Sequence, residues 1–152
     1  MSSDGKKNVF RKVHHLCIVV PDIEKAVEYY ESVGIGPWKD FPPLGDLPVS
    51  SLTREEMESW IYKSCDLENI QFQLCQPLPS TTRKYRFLQE HGGGVYHIGF
   101  GVPDIEEAEQ ACLDMGLVIG ERGRKHDGEG FTYFDTREDA GVVLEIRSNW
   151  NP

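Results

Sequence analysis

Residues 13–26, VHHLCIVVPDIEKA, return at residues 95–108 as VYHIGFGVPDIEEA. The shift is a constant 82 residues, and eight of the fourteen positions are identical. His15 falls on His97, and Val20-Pro21-Asp22-Ile23-Glu24 falls on Val102-Pro103-Asp104-Ile105-Glu106. The chain is therefore built from two copies of one structural unit, and each copy carries a histidine to the same place. Two equivalent histidines brought together across a pseudo-twofold axis make half of a metal site.

Each copy opens with a strand-like run, Val13–Val20 and Val95–Val102. Pro-Asp follows, with Asp22 and Asp104 at helix N-cap positions. Ile23, Ala26, Val27, Tyr30 and Val33 then keep helical spacing as far as Gly34. Ile105, Ala108, Cys112 and Met115 do the same as far as Gly116. After each helix there is room for three short strands, at 48–53, 59–65 and 69–76 in the first copy and at 117–122, 130–135 and 141–148 in the second. The pattern is βαβββ, twice. It predicts an α+β fold in which two βαβββ modules form a curved mixed sheet around a central cavity. The expected boundaries are a polar N-terminal tail over 1–11, a first module over 12–78, a linker over 79–94 and a second module over 95–152. The first copy carries an extra Pro- and Gly-rich loop, 39–48. Within the linker, 85–90 reads as a turn or two of helix, and Gly92-Gly93-Gly94 as a flexible junction.

Side chains alternate sides along a strand. Leu16, Ile18 and Val20 share one face of the first strand, and Ile98, Phe100 and Val102 share the same face in the second copy. These apolar faces are expected to meet the helices. His15 and Cys17 lie opposite, as do His97, Gly99 and Gly101, on a face polar or small enough to wall a cavity. In the last strands Phe72 and Leu74 oppose Gln71, Gln73 and Cys75, while Leu144 and Ile146 oppose Val143, Glu145 and Arg147. Gln73 aligns with Glu145 at a shift of 72. The shortfall of 10 from the first shift matches the longer loop of copy one. His15, Gln73, His97 and Glu145 are thus four candidate ligands. Two imidazoles, an amide oxygen and a carboxylate suit one divalent ion such as Co, Mn, Ni or Zn. Taken singly, a strand histidine is more often structural, and Glu145 has Arg147 and Arg124 as alternative ion-pair partners. His14 and Tyr96 fall on the helix-facing side and serve as structural controls. His91 reads as a loop residue.

Composition narrows the function. A net charge of −9 argues against a nucleic-acid partner. No apolar run approaches the ~18 residues of a membrane span, and the polar N-terminus has no signal-peptide core. Cys17, Cys65, Cys75 and Cys112 form no CxxC or zinc-knuckle spacing, so buried thiols in a reducing cytoplasm are expected, with a disulfide framework as the alternative. Arg122, Arg124, Lys125 and His126 concentrate positive charge in 121–130. Arg124 and Lys125 are candidates for holding a substrate carboxylate or a CoA phosphate, and an ordinary polar hairpin loop is the alternative. Trp38, Trp60 and Tyr62 either line a substrate pocket, with Trp60 as the candidate contact, or fill the core.

The stretches HHLCIVVPDIEKAVEYY, FQLCQPLP, YRFLQEHGGGVYHIGFGVPDIEEA and GVVLEIRS resemble the vicinal oxygen chelate superfamily of glyoxalases, bleomycin-resistance proteins and extradiol dioxygenases. Within it they are most similar to the methylmalonyl-CoA epimerases, over roughly 12–148. The ligand order His15, Gln73, His97, Glu145 is similar to the epimerase order. The resemblance implies paired βαβββ modules around a divalent metal, a homodimer, and an acyl-CoA or other carboxylate as the small-molecule substrate. It implies a metal-dependent isomerase or epimerase that moves a proton next to a stabilised enolate. A glyoxalase I-like lactoylglutathione lyase and a non-catalytic binding or resistance protein are the alternatives on the same scaffold. One segment departs from the family. Its Val-Pro-Glu-Gln-Gly stretch, which carries a catalytic base, is replaced here by TREEMESW, with Met57 near the place of that glutamate. The expected proton carriers are then Glu145, which would shift between ligand and base, and Glu58 or Glu56, whose alternative is a solvated charge run.

Overall fold

The computed structural model describes residues 9–41 and 47–148. Its elements in chain order are β1 (Val13–Val19), α1 (Ile23–Ser32), β2 (Lys39–Asp40), β3 (Val49–Ser50), α2 (Arg54–Met57), β4 (Trp60–Asp66) and β5 (Gln71–Pro77). They continue with α3 (Arg83–His91), β6 (Gly94–Val102), α4 (Ile105–Asp114), β7 (Ile119–Arg124), β8 (Gly130–Phe134), α5 (Arg137–Ala140) and β9 (Val143–Ser148). The mixed α+β chain falls into two units. Among the described residues, one comprises 15–41 and 53–96, and the other comprises 9–14, 47–52 and 97–148. Among the described residues no helix is long and apolar enough to cross a membrane.

The repeated Pro-Asp acts as a helix start in both copies. The Asp22 carboxylate accepts from the Lys25 N–H at 3.1 Å, and that of Asp104 from the Glu107 N–H at 3.0 Å. Each bond satisfies one of the donors a helix N-terminus leaves open. The two helices bury their stripes unequally. Ile105, Ala108 and Cys112 of α4 pack with Val102, Phe134 and Ile146, and Met115 lies against that cluster. In α1 only Ile23 is fully buried, and Val33, at the end of its stripe, is exposed. Part of the expected polar tail also belongs to this core: Val9 is buried in it, and Phe10 meets the Phe100 ring edge-on at 5.1 Å. Residues 1–8 of that tail lie outside the described residues.

In the first unit the sheet order is β2-β4-β5-β1, and in the second it is β6-β9-β8-β7-β3. In each, the first strand of the copy runs parallel to the last, and the remaining pairings are antiparallel. The two registers agree. Gln73 sits opposite Cys17, two residues beyond His15, and Glu145 sits opposite Gly99, two residues beyond His97. The shift of 72 assigned to the last strands is therefore a fact of strand pairing.

Four expectations change. The strand expected over 48–53 shrinks to β3 and pairs with β7 of the other copy, with the Ser51 N–H donating to the Arg122 carbonyl at 3.0 Å. The edge of the first sheet is taken instead by β2, from the start of the extra loop. The linker helix is longer than 85–90, running from the Thr82 cap through His91, so His91 is helical and stacks 4.8 Å from Phe87. The three glycines behind it are not slack. Gly92 closes α3 at φ +76, and at Gly93, with φ +123, a Cβ would lie 2.8 Å from the Val19 carbonyl oxygen. Only glycine fits that approach. The strand expected over 141–148 begins only at Val143, behind the short helix α5, which Gly141 ends at φ +84.

Candidate metal centre

In the second unit His97 (1 % exposed) and Glu145 (4 %) lie on neighbouring parallel strands. The strand position opposite Glu145 is Gly99, so the residue paired with it on β6 places no side chain beside the carboxylate. His97 Nε2 and Glu145 Oε1 are 3.4 Å apart. That exceeds the 2.7–3.2 Å of a good N–H···O hydrogen bond. It matches the spacing of two ligands on one ion: bonds of ~2.1 Å at a tetrahedral angle place the donor atoms about 3.4 Å apart. Tyr133, paired with Glu145 on the other side, sets its ring 4.9 Å from the imidazole and fixes the ring's surroundings.

In the first unit His15 (2 % exposed) and Gln73 (4 %) occupy the corresponding places. The Gln73 side-chain amide nitrogen donates to the Gln71 oxygen at 2.8 Å, and that of Gln71 donates to Asp66 Oδ1 at 2.9 Å. Gln73 therefore offers a carbonyl oxygen as its remaining polar end, a hard donor of the kind a divalent ion accepts. In each unit, taken by itself, one buried imidazole and one buried oxygen donor stand at matching register positions.

The model of the glyoxalase/bleomycin resistance protein/dioxygenase superfamily matches residues 14–134. The chain belongs to that superfamily. Among curated relatives, it is 24% identical over 139 residues to the uncharacterized protein YqjC of Bacillus subtilis, covering 89% of this chain and 90% of that one. It is also 24% identical over 143 residues to the human mitochondrial methylmalonyl-CoA epimerase, covering 89% and 72%. Among solved structures, the methylmalonyl-CoA epimerase of Mycobacterium tuberculosis superposes with a TM-score of 0.70 at 17% identity, covering 95% of this chain and 92% of that one. A Streptomyces coelicolor methylmalonyl-CoA epimerase in complex with 2-nitronate-propionyl-CoA gives 0.68 at 20% identity, covering 93% and 99%. At these identities the superpositions establish the shared fold.

Within this superfamily fold, other expected site residues lie elsewhere. Arg124 is not in a loop but ends β7, buried against α4. Its Nη2 donates to Glu109 at 2.8 Å and to Thr132 Oγ1 at 3.1 Å, its Nη1 to the Gly123 and Phe131 carbonyls, and its Nε to Glu106 at 2.6 Å. Arg122 Nε reaches the same Glu109 at 2.9 Å. The guanidinium expected to hold a substrate anion is spent on an internal carboxylate. Lys125 is exposed in the β7–β8 turn. Glu56 is the N3 member of a capping box: its carboxylate accepts from the Thr53 N–H at 2.9 Å, and its own N–H donates to Thr53 Oγ1 at 3.0 Å. Glu58 is the exposed C-cap of the same helix.

Trp60 is half-buried on β4, with Tyr62 edge-on at 6.3 Å. Its face is covered by Lys84 Nζ, 4.3 Å from the ring centroid, and the same ammonium lies 5.6 Å from Tyr96. Lys84 is 2 % exposed in the first turn of α3, where both burial and the helix dipole disfavour a cation. Nothing in the sequence pattern marks it. Trp38 serves packing, donating to the Ile35 carbonyl and stacking 5.3 Å from Tyr30. Arg147 is also a buried cation, with Nη1 3.2 Å from His14 Nδ1. Burial pushes its pKa down, against the pull of Glu145 on the same strand face. His14, expected as an inert control, thus touches a charged neighbour of Glu145. The four cysteines are free and buried as expected.

Proposed function

We propose that this chain is a divalent-metal-dependent isomerase or epimerase acting beside a carbonyl, on an acyl-CoA or related carboxylate. His15, Gln73, His97 and Glu145 would hold the ion. The supporting observation is the His97–Glu145 pair at ligand spacing, repeated in register by His15 and Gln73. The related methylmalonyl-CoA epimerases, one of them in complex with 2-nitronate-propionyl-CoA, support the substrate class.

When bound, the ion supplies a positive charge that stabilises oxyanion character on the substrate carbonyl and so acidifies the adjacent C–H. The chain's own residues do the rest. Glu145, buried and facing Gly99 across the strands, would take up and return the proton. Of the two expected carriers Glu56 and Glu58, Glu58 is left for a second transfer, because Glu56 is engaged in the α2 cap. Lys125 stays a candidate for a CoA phosphate; Arg124 does not, since its donors are committed. Homodimer formation follows from the resemblance and is read by light scattering on the purified protein.

The test is exchange of the α-proton of methylmalonyl-CoA with deuterated solvent. Metal-loaded protein is expected to incorporate deuterium at that carbon, and Glu145→Gln to do so far more slowly. Exchange no faster than the solvent background would remove the epimerase reading. Turnover of the hemithioacetal of glutathione instead would move the chain to the lyase class.

A further inference from the structure

Ligand Gln73 has a problem that its equivalent, Glu145, does not. A carboxylate presents oxygen whichever way it turns. An amide presents oxygen in one orientation and N–H in the other, and only the oxygen has a lone pair for a metal. Something must set the orientation, since the two are nearly isosteric.

The setting runs through three side chains of the first unit. Asp66 ends β4, Gln71 opens β5 directly opposite it, and Gln73 is the next residue on the same face of β5. A carboxylate is an acceptor only. With Asp66 Oδ1 2.9 Å from the Gln71 side-chain nitrogen, Gln71 must turn its NH₂ toward Asp66 and its oxygen toward Gln73. With that oxygen 2.8 Å away, Gln73 must in turn use its NH₂ and leave its own oxygen as the ligand. Lys39 Nζ donates to the other Asp66 oxygen at 3.0 Å, which holds the carboxylate in place at the surface end. Gln71 and Gln73 are both buried, so solvent does not blur the sequence of donors and acceptors.

We infer that Asp66 and Gln71 are positioning residues that impose the polarity of the amide of Gln73 and so make it an oxygen ligand. The inference rests on the proposed metal site. It also predicts what a near-isosteric change does. In Asp66→Asn, Lys39 still donates to the side-chain oxygen, so the new amide nitrogen faces Gln71. Each member of the chain then reverses, and Gln73 turns its N–H toward the ion.

The experiment measures cobalt(II) affinity, by chelator competition and the metal's visible absorbance, in four proteins: wild type, Asp66→Asn, Gln73→Glu and the double variant. Asp66 is about half exposed, so the change leaves the core intact. Asp66→Asn alone is expected to weaken cobalt binding about 10- to 100-fold, the usual cost of disturbing a group that orients a ligand. In the Gln73→Glu protein the sign should invert. A carboxylate at 73 needs Gln71 to donate toward it, and Asp66 opposes that turn while asparagine permits it. The double variant should therefore bind more tightly than Gln73→Glu alone. A structural role for Asp66 would weaken binding in both backgrounds, and that result, or no effect of Asp66→Asn on a wild type that binds cobalt, would overturn the relay alone. A wild type that binds no cobalt would overturn the relay together with the metal site beneath it.

Discussion

Arg124→Ala separates an internal brace from a substrate anchor. The side chain is buried, and its removal takes away two contacts to Glu109, at 2.8 and 3.2 Å, and bonds to Thr132 and two carbonyls. Removing one member of a buried pair costs roughly 3–5 kcal/mol, chiefly because the other charge is stranded. Two features move the expectation to the low end. Arg122 keeps its hold on Glu109 at 2.9 Å, and the lost contact to Glu106 is to a largely exposed carboxylate, worth about 1 kcal/mol or less. About 3 kcal/mol is expected, or a fall in melting temperature of about 6–12 °C for a chain of this size. Urea unfolding followed by circular dichroism measures it. Replacing Glu109 by Leu together with Arg124 by Met should recover most of the loss, since no buried charge is then left alone. Metal content and substrate KM of Arg124→Ala should match wild type at temperatures where it is folded. Wild-type stability with a raised KM would refute this reasoning and restore Arg124 as a substrate contact.

Two further outcomes follow from the same structure. Burial raises the Cys75 thiol pKa from 9.0 to about 12 and that of Cys112 from 9.0 to about 11. The unfolded chain therefore loses these protons first. Stability should be flat in this term below about pH 9 and fall as pH rises from there toward 11, as urea midpoints across that range would show. Native thiols should resist a disulfide reagent at pH 8 and react only on unfolding. For Glu56, the Gln variant should retain the cap and the α-proton exchange rate, while Ala should cost about 1 kcal/mol. Loss of exchange in the Gln variant would make Glu56 the base.

The parts that were legible in the sequence are those with local or repeated causes. Asp22 and Asp104 cap helices through bonds to residues three positions on, and the two shifts of 82 and 72 carry the strand register with them. What escaped has non-local causes. Strand β3 is two residues long, and its place beside β7 is decided by pairing across some 70 positions, with no periodicity to announce it. Arg122 and Arg124 read from the sequence as an anion site or a polar hairpin loop because their partner, Glu109, is on another element. The available signal was Glu106 and Glu109, one helical turn apart on α4. Gly92-Gly93-Gly94 read as slack because composition does not reveal that a carbonyl passes beside Gly93. Lys84 left no trace, since a lysine in a first helical turn usually faces water. The Asp66–Gln71–Gln73 chain follows from pairing Asp66 with Gln71, a register that sequence spacing alone leaves open.

In the proposed function His15, Gln73, His97 and Glu145 would hold one metal ion. Elemental analysis of protein purified without added metal, alongside a His97→Ala variant of matched purity and confirmed fold, tests it most directly. Close to one equivalent of a divalent transition metal is expected in wild type and a small fraction of that in the variant. Equal metal in both proteins, or none in wild type even after incubation with cobalt or zinc, would contradict it.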